Sequence, residues 1–368
     1  MPKSFVQKSF SQALQRSMLR ATRLTGMGKL LDATRLIQRA LLSDAPQVKP
    51  QARHQAPPAA NDPQVADELP QVIILPPPPS LAEGVNTPRK ASFTQHQFAF
   101  EGVSYPYRLY IPSAPDTSDS QPMPLVVLLH GCKQDALDFS NGTAMNMLAE
   151  EQQVMVLYPE QITSANALRC WNWFEPGHQQ AERGEPGMIA ALTQKIVQQY
   201  GGDARRVYIA GLSAGGAMAA VVSSLYPNVF AAVGVHSGLA AGAARDVMSA
   251  FSAMRSGAKG HAPPVIPTIV FHGSADKTVH PDNGEHITDA ALATLKASGL
   301  QLVKSQDNTG REAYSTADGK PYIENWRIDD GAHAWSGGDA KGSYTDPHGP
   351  SASAAMLAFF LQHRLSRV

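Results

Sequence analysis

The side chain best placed to do chemistry is Ser213, which lies in the segment 207–220, VYIAGLSAGGAMAA. It occupies the centre of a GxSxG pattern, whose glycines permit a sharp turn that leaves the serine hydroxyl exposed. The run before it is apolar and rich in strand formers, and the run after it is small and favours a helix. A serine at a strand-to-helix turn is typical of a nucleophile in acyl transfer, so we predict that role for Ser213.

A nucleophilic serine requires a histidine base and a carboxylate that orients this base. In enzymes built around a GxSxG turn, the acid and then the histidine follow the serine along the chain. Asp276 follows the strand-like run TIVF, and His333 lies in a glycine-flanked loop after the run ENWRIDD. Asp282 lies deeper in the loop after TIVF and is the second candidate for the acid. We therefore predict a catalytic triad of Ser213, Asp276 and His333.

Acyl transfer also needs backbone N–H groups directed at the developing oxyanion. One predicted donor is the N–H of Ala214, the residue directly after the nucleophile. The second is the N–H of Cys132 in the run LLHGCKQDA, where Gly131 lets the backbone turn close to a substrate. These two donors complete a predicted oxyanion hole.

Tryptophan side chains offer flat apolar faces to an aliphatic ester chain or a sugar ring. Trp171 and Trp173 lie in the run CWNWF, and Trp335 is two residues after the predicted base. We expect these three rings to line the substrate cleft. Trp326 lies within a strand-like run and is expected to pack in the core.

Strand-like apolar runs alternate with helical patterns from residue 92 onward. The strand-like runs are 103–112, 124–131, 154–160, 206–211, 231–238, 265–273 and 322–330, and the helical patterns include 188–200, 291–298 and 351–365. This alternation predicts an α/β fold with a mostly parallel sheet covered by helices on both faces. Ligands of such sheets bind beyond the carboxyl ends of the strands, where the predicted triad also lies.

The composition of the 368 residues argues against several other classes of protein. Lysine and arginine together number 31, as do aspartate and glutamate, so the net charge gives no indication of nucleic acid binding. No apolar run approaches the roughly 20 residues that a membrane span requires. The two cysteines, Cys132 and Cys170, are too few for a disulfide framework or for a zinc site built from cysteines.

Two segments precede the α/β domain, which we place at residues 92–368. Residues 1–44 are basic, with eight lysines and arginines against two aspartates, and carry apolar residues at helical spacing. This pattern predicts either a helical hairpin that packs on the main domain or an amphipathic element that docks on an apolar surface such as a polymer granule. Its composition also fits a mitochondrial transit peptide. Residues 45–91 hold 11 of the 28 prolines and are predicted to be an extended linker.

Several runs are more specific than GxSxG, namely HGCKQDA, YPEQ, CWNWF, GLSAGGAM, HGSAD, GAHAWSGG and DPHGPSASAAMLAFF. Over residues 93–365 the chain resembles the poly(3-hydroxybutyrate) depolymerase-like esterases of the α/β-hydrolase superfamily. The resemblance implies an α/β-hydrolase fold, cleavage of ester bonds, the triad named above and Cys132 in the oxyanion loop. Members act on polyesters or on acetylated or feruloylated polysaccharide, so both substrate classes stay open. This chemistry requires no metal or cofactor.

The resemblance also bears on the cysteines and on the location of the enzyme. In exported members the cysteines of HGC and CWNWF form a bridge, and Cys132 and Cys170 match these positions. A reducing cytoplasm would keep them as thiols, whereas we expect a bridge in purified, air-exposed protein.

Residues 1–44 lack a convincing signal peptide and resemble the helical leader of signal-less bacterial members. We therefore expect a cytoplasmic enzyme, and secretion stays open.

These features together predict a serine esterase that hydrolyses polyhydroxyalkanoate polyester to hydroxyacyl oligomers or monomers through an acyl-enzyme. The first alternative is a carbohydrate esterase that removes acetyl or feruloyl groups. The second is a granule-binding protein whose hydrolase domain is a relic, although a complete triad argues against decay of the site.

Overall fold

The computed structural model describes residues 90–114 and 121–366 of the chain. All of these residues belong to the second of the two units into which the chain divides, Glu83–Val368. The segment 1–44 and nearly all of the linker 45–91 lie outside the described residues. The predictions about these two segments, and the domain boundaries they imply, therefore stay predictions.

Within the described residues, ten strands form one sheet in the order β1-β2-β4-β3-β5-β6-β7-β10-β9-β8. The strands are β1 (Ser92–Phe100), β2 (Val103–Ile111), β3 (Leu125–Leu129), β4 (Met155–Pro159), β5 (Val207–Leu212), β6 (Ala232–His236), β7 (Thr268–Gly273), β8 (Val303–Gln306), β9 (Arg311–Ser315) and β10 (Pro321–Ile328), with β11 (Trp335–Ser336) and β12 (Thr345–Asp346) as a separate pair. Neighbouring strands from β4 through β3, β5, β6 and β7 to β10 are parallel, and the outer strands are antiparallel. The seven predicted strand-like runs all overlap strands of this sheet, which confirms the mostly parallel sheet.

Helices of the described residues cover both faces of the sheet. They are α1 (Ala136–Thr143), α2 (Met145–Gln152), α3 (Gly184–Tyr200), α4 (Ala214–Leu225), α5 (Val247–Ser256), α6 (Asp282–Ala297) and α7 (Ala352–Phe360), with a 3-10 helix at Pro176–Gln179. The apolar residues of α3 and α4 belong to one core, and those of α1, α2 and α7 belong to a second core. No helix within these residues is long and apolar enough to cross a membrane.

Strand β3 shows how the sequence builds both cores. Its five residues, LVVLL, are all fully buried. Leu125, Val127 and Leu129 contribute to the core that contains α3 and α4. Val126 and Leu128 contribute to the opposite core with α1, α2 and α7. Because full burial of each such side chain contributes about 1.5–3 kcal/mol, a continuous apolar run suits a strand that is covered on both faces.

The antiparallel strands β1, β8 and β9 at the sheet edges are not predicted by the sequence patterns. Strand β1 joins β2 through the two-residue turn Glu101-Gly102, in which both φ angles are positive, at 50° and 77°. This is the geometry of a type I′ turn, whose twist matches that of the flanking strands. Every residue of β8 is exposed, so it has no apolar periodicity by which a strand can be recognised.

The carboxyl ends of the parallel strands bring the predicted site residues to one edge of the sheet. Cys132 follows β3, Ser213 follows β5, Asp276 follows β7 and His333 follows β10. Because neighbouring parallel strands end at the same edge, the loops that carry these residues lie side by side.

Candidate active site

Ser213 occupies the sharp turn between β5 and α4. Its backbone has φ 58° and ψ −120°, a strained conformation that costs a residue with a side chain about 1–3 kcal/mol. The N–H of Ser213 donates to the carbonyl of His236 at 2.8 Å, and the carbonyl of Ser213 accepts the N–H of Ala217 at 2.9 Å. These two hydrogen bonds, one on each side of the turn, hold the strained conformation. The residue is largely buried, with 8 % of its surface exposed.

Two glycines allow this turn to approach β3 closely. A Cβ atom at Gly215 would lie 2.1 Å from the carbonyl oxygen of Leu129, at the end of β3. A Cβ atom at Gly211 would lie 2.4 Å from the carbonyl carbon of Gly215. Neither position can hold a larger residue unless the backbone moves, so packing requires both glycines of the GxSxG pattern.

Asp276 lies buried in the loop after β7. Its Oδ1 atom accepts the backbone N–H groups of Thr278 at 2.8 Å and Val279 at 2.9 Å, and its Oδ2 atom accepts Nδ1–H of His333 at 2.7 Å. Burial alone would raise the pKa of this carboxyl group, but hydrogen bonds from His272, His333 and the Val279 backbone hold the pKa well below its ordinary value. Asp276 is therefore a carboxylate at neutral pH.

The bond to Asp276 orients the ring of His333 in the loop after β10. Because Nδ1 donates to the carboxylate, Nε2 carries the lone pair that a general base uses. The hydrogen bonds of the described residues do not include one between Nε2 of His333 and Oγ of Ser213. Such a bond is often long or misaligned until a substrate is bound. The structure therefore pairs the predicted acid with the predicted base and places the serine turn at the same sheet edge.

Asp282, the second candidate for the acid, contacts a different histidine. It is the first residue of α6, and its side chain is 59 % exposed. Its Oδ1 atom lies 3.5 Å from Nδ1 of His280. These contacts favour Asp276 over Asp282 as the partner of His333.

A second histidine, His272, lies beside the acid, and the sequence gives no signal for it beyond its place near the end of β7. Its Nε2 atom lies 2.9 Å from the carbonyl oxygen of Val279 and 3.5 Å from Oδ2 of Asp276. Both neighbours are acceptors, so Nε2 carries a proton. Its Nδ1 atom is buried and has no hydrogen-bond partner among the described residues. The Nε2–H group of His272 therefore donates to the carbonyl of Val279 and also faces the carboxylate of Asp276, whose negative charge it helps to stabilise.

His236, the last residue of β6, fixes the loop that carries the base. Its ring stacks on Phe271 and on Trp335, with centroid distances of 5.6 and 5.1 Å. Its Nε2 atom accepts the N–H of Ser336 at 3.0 Å. Burial lowers the pKa of His236 to about 3, so the ring is neutral at neutral pH and Nε2 keeps its lone pair.

The oxyanion loop, residues 131–134, leaves one of its backbone N–H groups available. The N–H of Gly131 donates to the side-chain oxygen of Gln134 at 2.9 Å, and the N–H of Lys133 donates to a carbonyl of a neighbouring loop at 2.7 Å. The N–H of Gln134 donates to the carbonyl of Gly131 at 3.3 Å. Among the residues that the structure describes, the N–H of Cys132 has no acceptor, nor does the N–H of Ala214 at the start of α4.

The side chain of His130 and a disulfide also hold the oxyanion loop in place. His130 is buried, its Nδ1–H donates to the carbonyl of Gly131 at 2.8 Å, and its Nε2 accepts the N–H of Gln161 at 3.0 Å. Burial lowers the pKa of His130 to about 4, so this neutral tautomer persists at neutral pH. A disulfide joins Cys132 to Cys170, 38 residues later, and connects the oxyanion loop to the loop that contains CWNWF.

The CWNWF loop is anchored by Glu185, which is buried in the first turn of α3. Its Oε2 atom accepts the backbone N–H of Asn172 at 2.7 Å. Its Oε1 atom accepts the side-chain amides of Asn172 and Gln161, both at 2.6 Å. A buried carboxyl group with three such donors holds the CWNWF loop on the first turn of α3.

The prediction that Trp171, Trp173 and Trp335 line the cleft does not agree with their burial. Their exposed fractions are 0 %, 4 % and 1 %. Trp171 donates Nε1–H to the carbonyl of His130 at 3.1 Å, and Trp335 donates Nε1–H to Oγ of Ser353 at 3.0 Å. Large rings that are buried and, for Trp171 and Trp335, hydrogen-bonded belong to the core, where they support the loops of the site.

Replacing Trp171 with phenylalanine should therefore reduce stability rather than substrate affinity. The variant loses the hydrogen bond to the buried carbonyl of His130, so the free energy of unfolding should fall by about 1–3 kcal/mol. Urea denaturation measures this loss, and the KM for a soluble ester should stay within about twofold of the wild-type value. A KM raised by about tenfold or more, with unchanged stability, would place Trp171 in the cleft after all.

The arrangement can supply a nucleophile, a base with its acid, and two oxyanion donors, which are the groups that acyl transfer needs. Within residues 90–114 and 121–366, no group of three or more histidine, cysteine, aspartate or glutamate side chains could hold a metal ion.

Comparison with known proteins gives a matching family model and relatives of two kinds. A family model described as esterase PHB depolymerase matches residues 105–313. Poly(3-hydroxyalkanoate) depolymerase C of Paucimonas lemoignei is 31% identical over 224 residues, which are 56% of this chain and 53% of that protein. Poly(3-hydroxybutyrate) depolymerase of Ralstonia pickettii is 28% identical over 254 residues, or 62% of this chain and 51% of that protein. Acetylxylan esterase A of Emericella nidulans is 30% identical over 183 residues, or 43% and 58% of the two chains.

The chain spans about half the length of the two depolymerases. Among solved structures, the acetyl xylan esterase from Aspergillus awamori superimposes with a TM-score of 0.56 at 17% sequence identity. The match covers 73% of this chain and 99% of that one. At this level of identity the likeness shows the fold, an α/β-hydrolase fold, as the sequence predicts.

Proposed function

This chain belongs to the esterase PHB depolymerase family, and on that basis we propose that it is a serine esterase that hydrolyses polyhydroxyalkanoate polyester. One observation carries the proposal: Nδ1 of His333 bonds Oδ2 of Asp276 at 2.7 Å, at the sheet edge where the strained turn presents Ser213. These residues suit the roles of base, acid and nucleophile in acyl transfer.

In the proposed reaction, Oγ of Ser213 attacks the ester carbonyl while Nε2 of His333 takes its proton. Asp276 remains a carboxylate and stabilises the imidazolium that forms, in keeping with its lowered pKa. The backbone N–H groups of Cys132 and Ala214 hold the oxyanion. The imidazolium then protonates the leaving alcohol, and a water molecule activated by His333 releases the hydroxyacyl product and restores Ser213.

Polyester is the favoured substrate because two of the relatives with the greatest coverage of this chain are named as polyhydroxyalkanoate depolymerases. A carbohydrate esterase that removes acetyl or feruloyl groups is the second candidate, because acetylxylan and feruloyl esterases are also related to the chain. A granule-binding protein with a relic hydrolase domain is disfavoured by the intact pairing of Asp276 with His333.

We extend the proposal to the segment 1–44, which lies outside the described residues. Its basic, amphipathic sequence suits docking on the surface of a polymer granule. An enzyme that docks in this way would act on amorphous storage polyester in the cytoplasm.

The proposal is tested by offering the purified full chain three substrates in parallel. These are amorphous poly(3-hydroxybutyrate) particles, acetylated xylan and feruloylated xylan, and each is also incubated with the Ser213→Ala variant. We expect the wild type, but not the variant, to release 3-hydroxybutyrate or its oligomers from the particles.

The other outcomes separate the alternatives. Release of acetate or ferulate with intact polyester particles would assign the protein to the carbohydrate esterases. Binding to the particles without hydrolysis of any of the three substrates would support the granule-binding alternative and contradict the proposed triad.

A further inference from the structure

Gln134 is a buried polar side chain to which the run HGCKQDA assigns no role, and the residue is only 1% exposed. Its amide group connects two loops of the candidate site. The amide oxygen bonds to the oxyanion loop. The amide nitrogen bonds to Ser343 of the base loop, which we define as residues 333–346, and to Asp138 of α1.

The oxygen end determines which N–H group of the oxyanion loop is available. Oε1 of Gln134 accepts the N–H of Gly131 at 2.9 Å, and the N–H of Gln134 donates to the carbonyl of Gly131 at 3.3 Å. These two bonds close the turn around Cys132. The N–H of Cys132 is left as the one donor of this loop without an acceptor among the described residues.

The amide nitrogen of Gln134 is also hydrogen-bonded. Nε2 of Gln134 donates to the carbonyl oxygen of Ser343 and to Oδ2 of Asp138, both at 2.9 Å. Asp138 in turn accepts the N–H of Ser343 at 2.9 Å through its Oδ1 atom. Gln134 and Asp138 therefore fix the position of Ser343 together.

Ser343 is connected through the next residue to the segment that carries the base, His333. The carbonyl of the next residue, Tyr344, accepts the N–H of Trp335 at 2.7 Å, and Trp335 is two residues after His333. Tyr344 has a φ of 54°, a conformation that a bulky residue adopts only where its neighbours hold it. A continuous path of hydrogen bonds and peptide bonds thus joins Gly131 to His333 through Gln134.

We propose that Gln134 is a positioning residue that sets the place of the Cys132 N–H relative to the His333 ring. The inference rests on the proposed function, because it concerns the oxyanion that forms in acyl transfer. An oxyanion donor acts only if it lies within hydrogen-bond distance of the oxygen in the transition state. A small displacement of either loop would separate the donor from the base, so the amide that bonds to both loops contributes to the rate of the chemical step.

The amide group of glutamine is suited to this position. It provides an acceptor for the N–H of Gly131 and donors for the carbonyl of Ser343 and the carboxylate of Asp138. Methionine has nearly the same length and volume but forms neither set of bonds. Gln134→Met therefore removes the connection without leaving a large cavity.

The test compares Gln134→Met with the wild type on p-nitrophenyl butyrate, a soluble ester for which adsorption to a polymer plays no part. We expect kcat to fall about 100-fold while KM changes by less than about threefold, because the lost contact acts only in the transition state. The affinity for butylboronic acid, which forms a tetrahedral adduct on the serine, should fall in proportion to kcat/KM. Gln362→Met serves as the control and should match the wild type. Gln362 is exposed just after α7, and its amide nitrogen donates to the carbonyl of Ala358.

Three results would overturn the inference. The first is a folded Gln134→Met variant whose kcat stays within about threefold of the wild type. The second is a loss of activity that circular dichroism explains entirely by unfolded protein, with boronate affinity per folded molecule unchanged. The third is a wild type that is no more active than Ser213→Ala, and this result alone would overturn the proposed function as well.

Discussion

Replacing Ser213 with alanine should lower kcat for ester hydrolysis by about 10⁵- to 10⁶-fold, because the variant has no nucleophile with which to form an acyl-enzyme. The oxyanion donors and the Asp276–His333 pair remain, so we expect a small residual rate above that of the uncatalysed reaction. The measurement is the hydrolysis of p-nitrophenyl butyrate by the purified variant, followed for hours at high enzyme concentration.

The stability of this variant should be close to that of the wild type. Alanine at a φ of 58° is strained to about the same degree as serine, and the backbone bonds from Ser213 to His236 and Ala217 remain. A glycine at this position would relax the strain, so Ser213→Gly should be more resistant to urea than Ser213→Ala. The loss of activity in Ser213→Ala can therefore be read as a loss of chemistry.

Ser223→Ala is the matched control, because it removes a hydroxyl group from α4, the helix that directly follows Ser213. Ser223 is buried on the same helix, where its Oγ donates to the carbonyl of Ala220 at 3.2 Å. Its removal should leave kcat within about twofold of the wild-type value. Equal activity of Ser213→Ala and the wild type would exclude Ser213 as the nucleophile.

The central part of the fold can be predicted from the sequence because parallel strands buried on both faces must be apolar throughout. Runs such as LVVLL of β3 and VYIAGL of β5 have this property, and each is fully buried. Strand β8 at the sheet edge is not predicted, for the opposite reason. Strand β8, VKSQ, is exposed along its whole length, and it is a strand only because it pairs with β9.

The candidate triad can be predicted because its residues follow three strands of the parallel sheet, β5, β7 and β10, in a fixed order along the chain. The geometry then adds what order alone cannot give: Asp276, and not Asp282, bonds to His333. The roles of His272 and Gln134 are not predicted because they depend on loop conformations. His272 contacts Asp276 and Val279, four and seven residues later, through the fold of the loop after β7. Gln134 instead joins distant segments. The bond from Gln134 to Ser343 spans 209 residues of the chain, a separation that no local pattern encodes.

The three tryptophans illustrate a different failure of prediction. An aromatic residue near a catalytic loop suits substrate contact and loop packing equally well, and the sequence does not separate these two roles. For Trp171 and Trp335 the buried indole N–H groups favour packing, because they donate to His130 and Ser353 inside the core. For Trp173 the observation is its burial alone.

Replacing Asp276 with asparagine should lower kcat by about 10⁴-fold. The N–H groups of Thr278 and Val279 both need the carbonyl oxygen of the new side chain, so they fix its orientation. Its NH₂ group then faces Nδ1 of His333 and forces this atom to become the acceptor. The ring proton moves to Nε2, which can no longer take the proton of Ser213. The pH–rate profile of p-nitrophenyl butyrate hydrolysis by both proteins measures this loss.

The charge of Asp276 should also appear in the pH dependence of stability. Its pKa in the folded protein lies below the unfolded value of about 3.9, so the carboxylate stabilises the fold at every pH above that value. The contribution is lost as the pH falls through the folded-state pKa. The difference in the free energy of unfolding between the wild type and Asp276→Asn should therefore be present at about pH 5 and shrink below about pH 4.

Asp282→Asn is the matched control, because Asp282 is the neighbouring acid and its exposed side chain contacts His280 instead of His333. Its kcat should stay within about twofold of the wild-type value, since an exposed polar contact of this kind contributes little. If Asp282→Asn loses activity and Asp276→Asn keeps it, the acid has been assigned to the wrong residue. If both variants keep full activity, His333 does not need a carboxylate to act as the base. Only a loss confined to Asp276→Asn fits the orientation that the two backbone N–H groups impose.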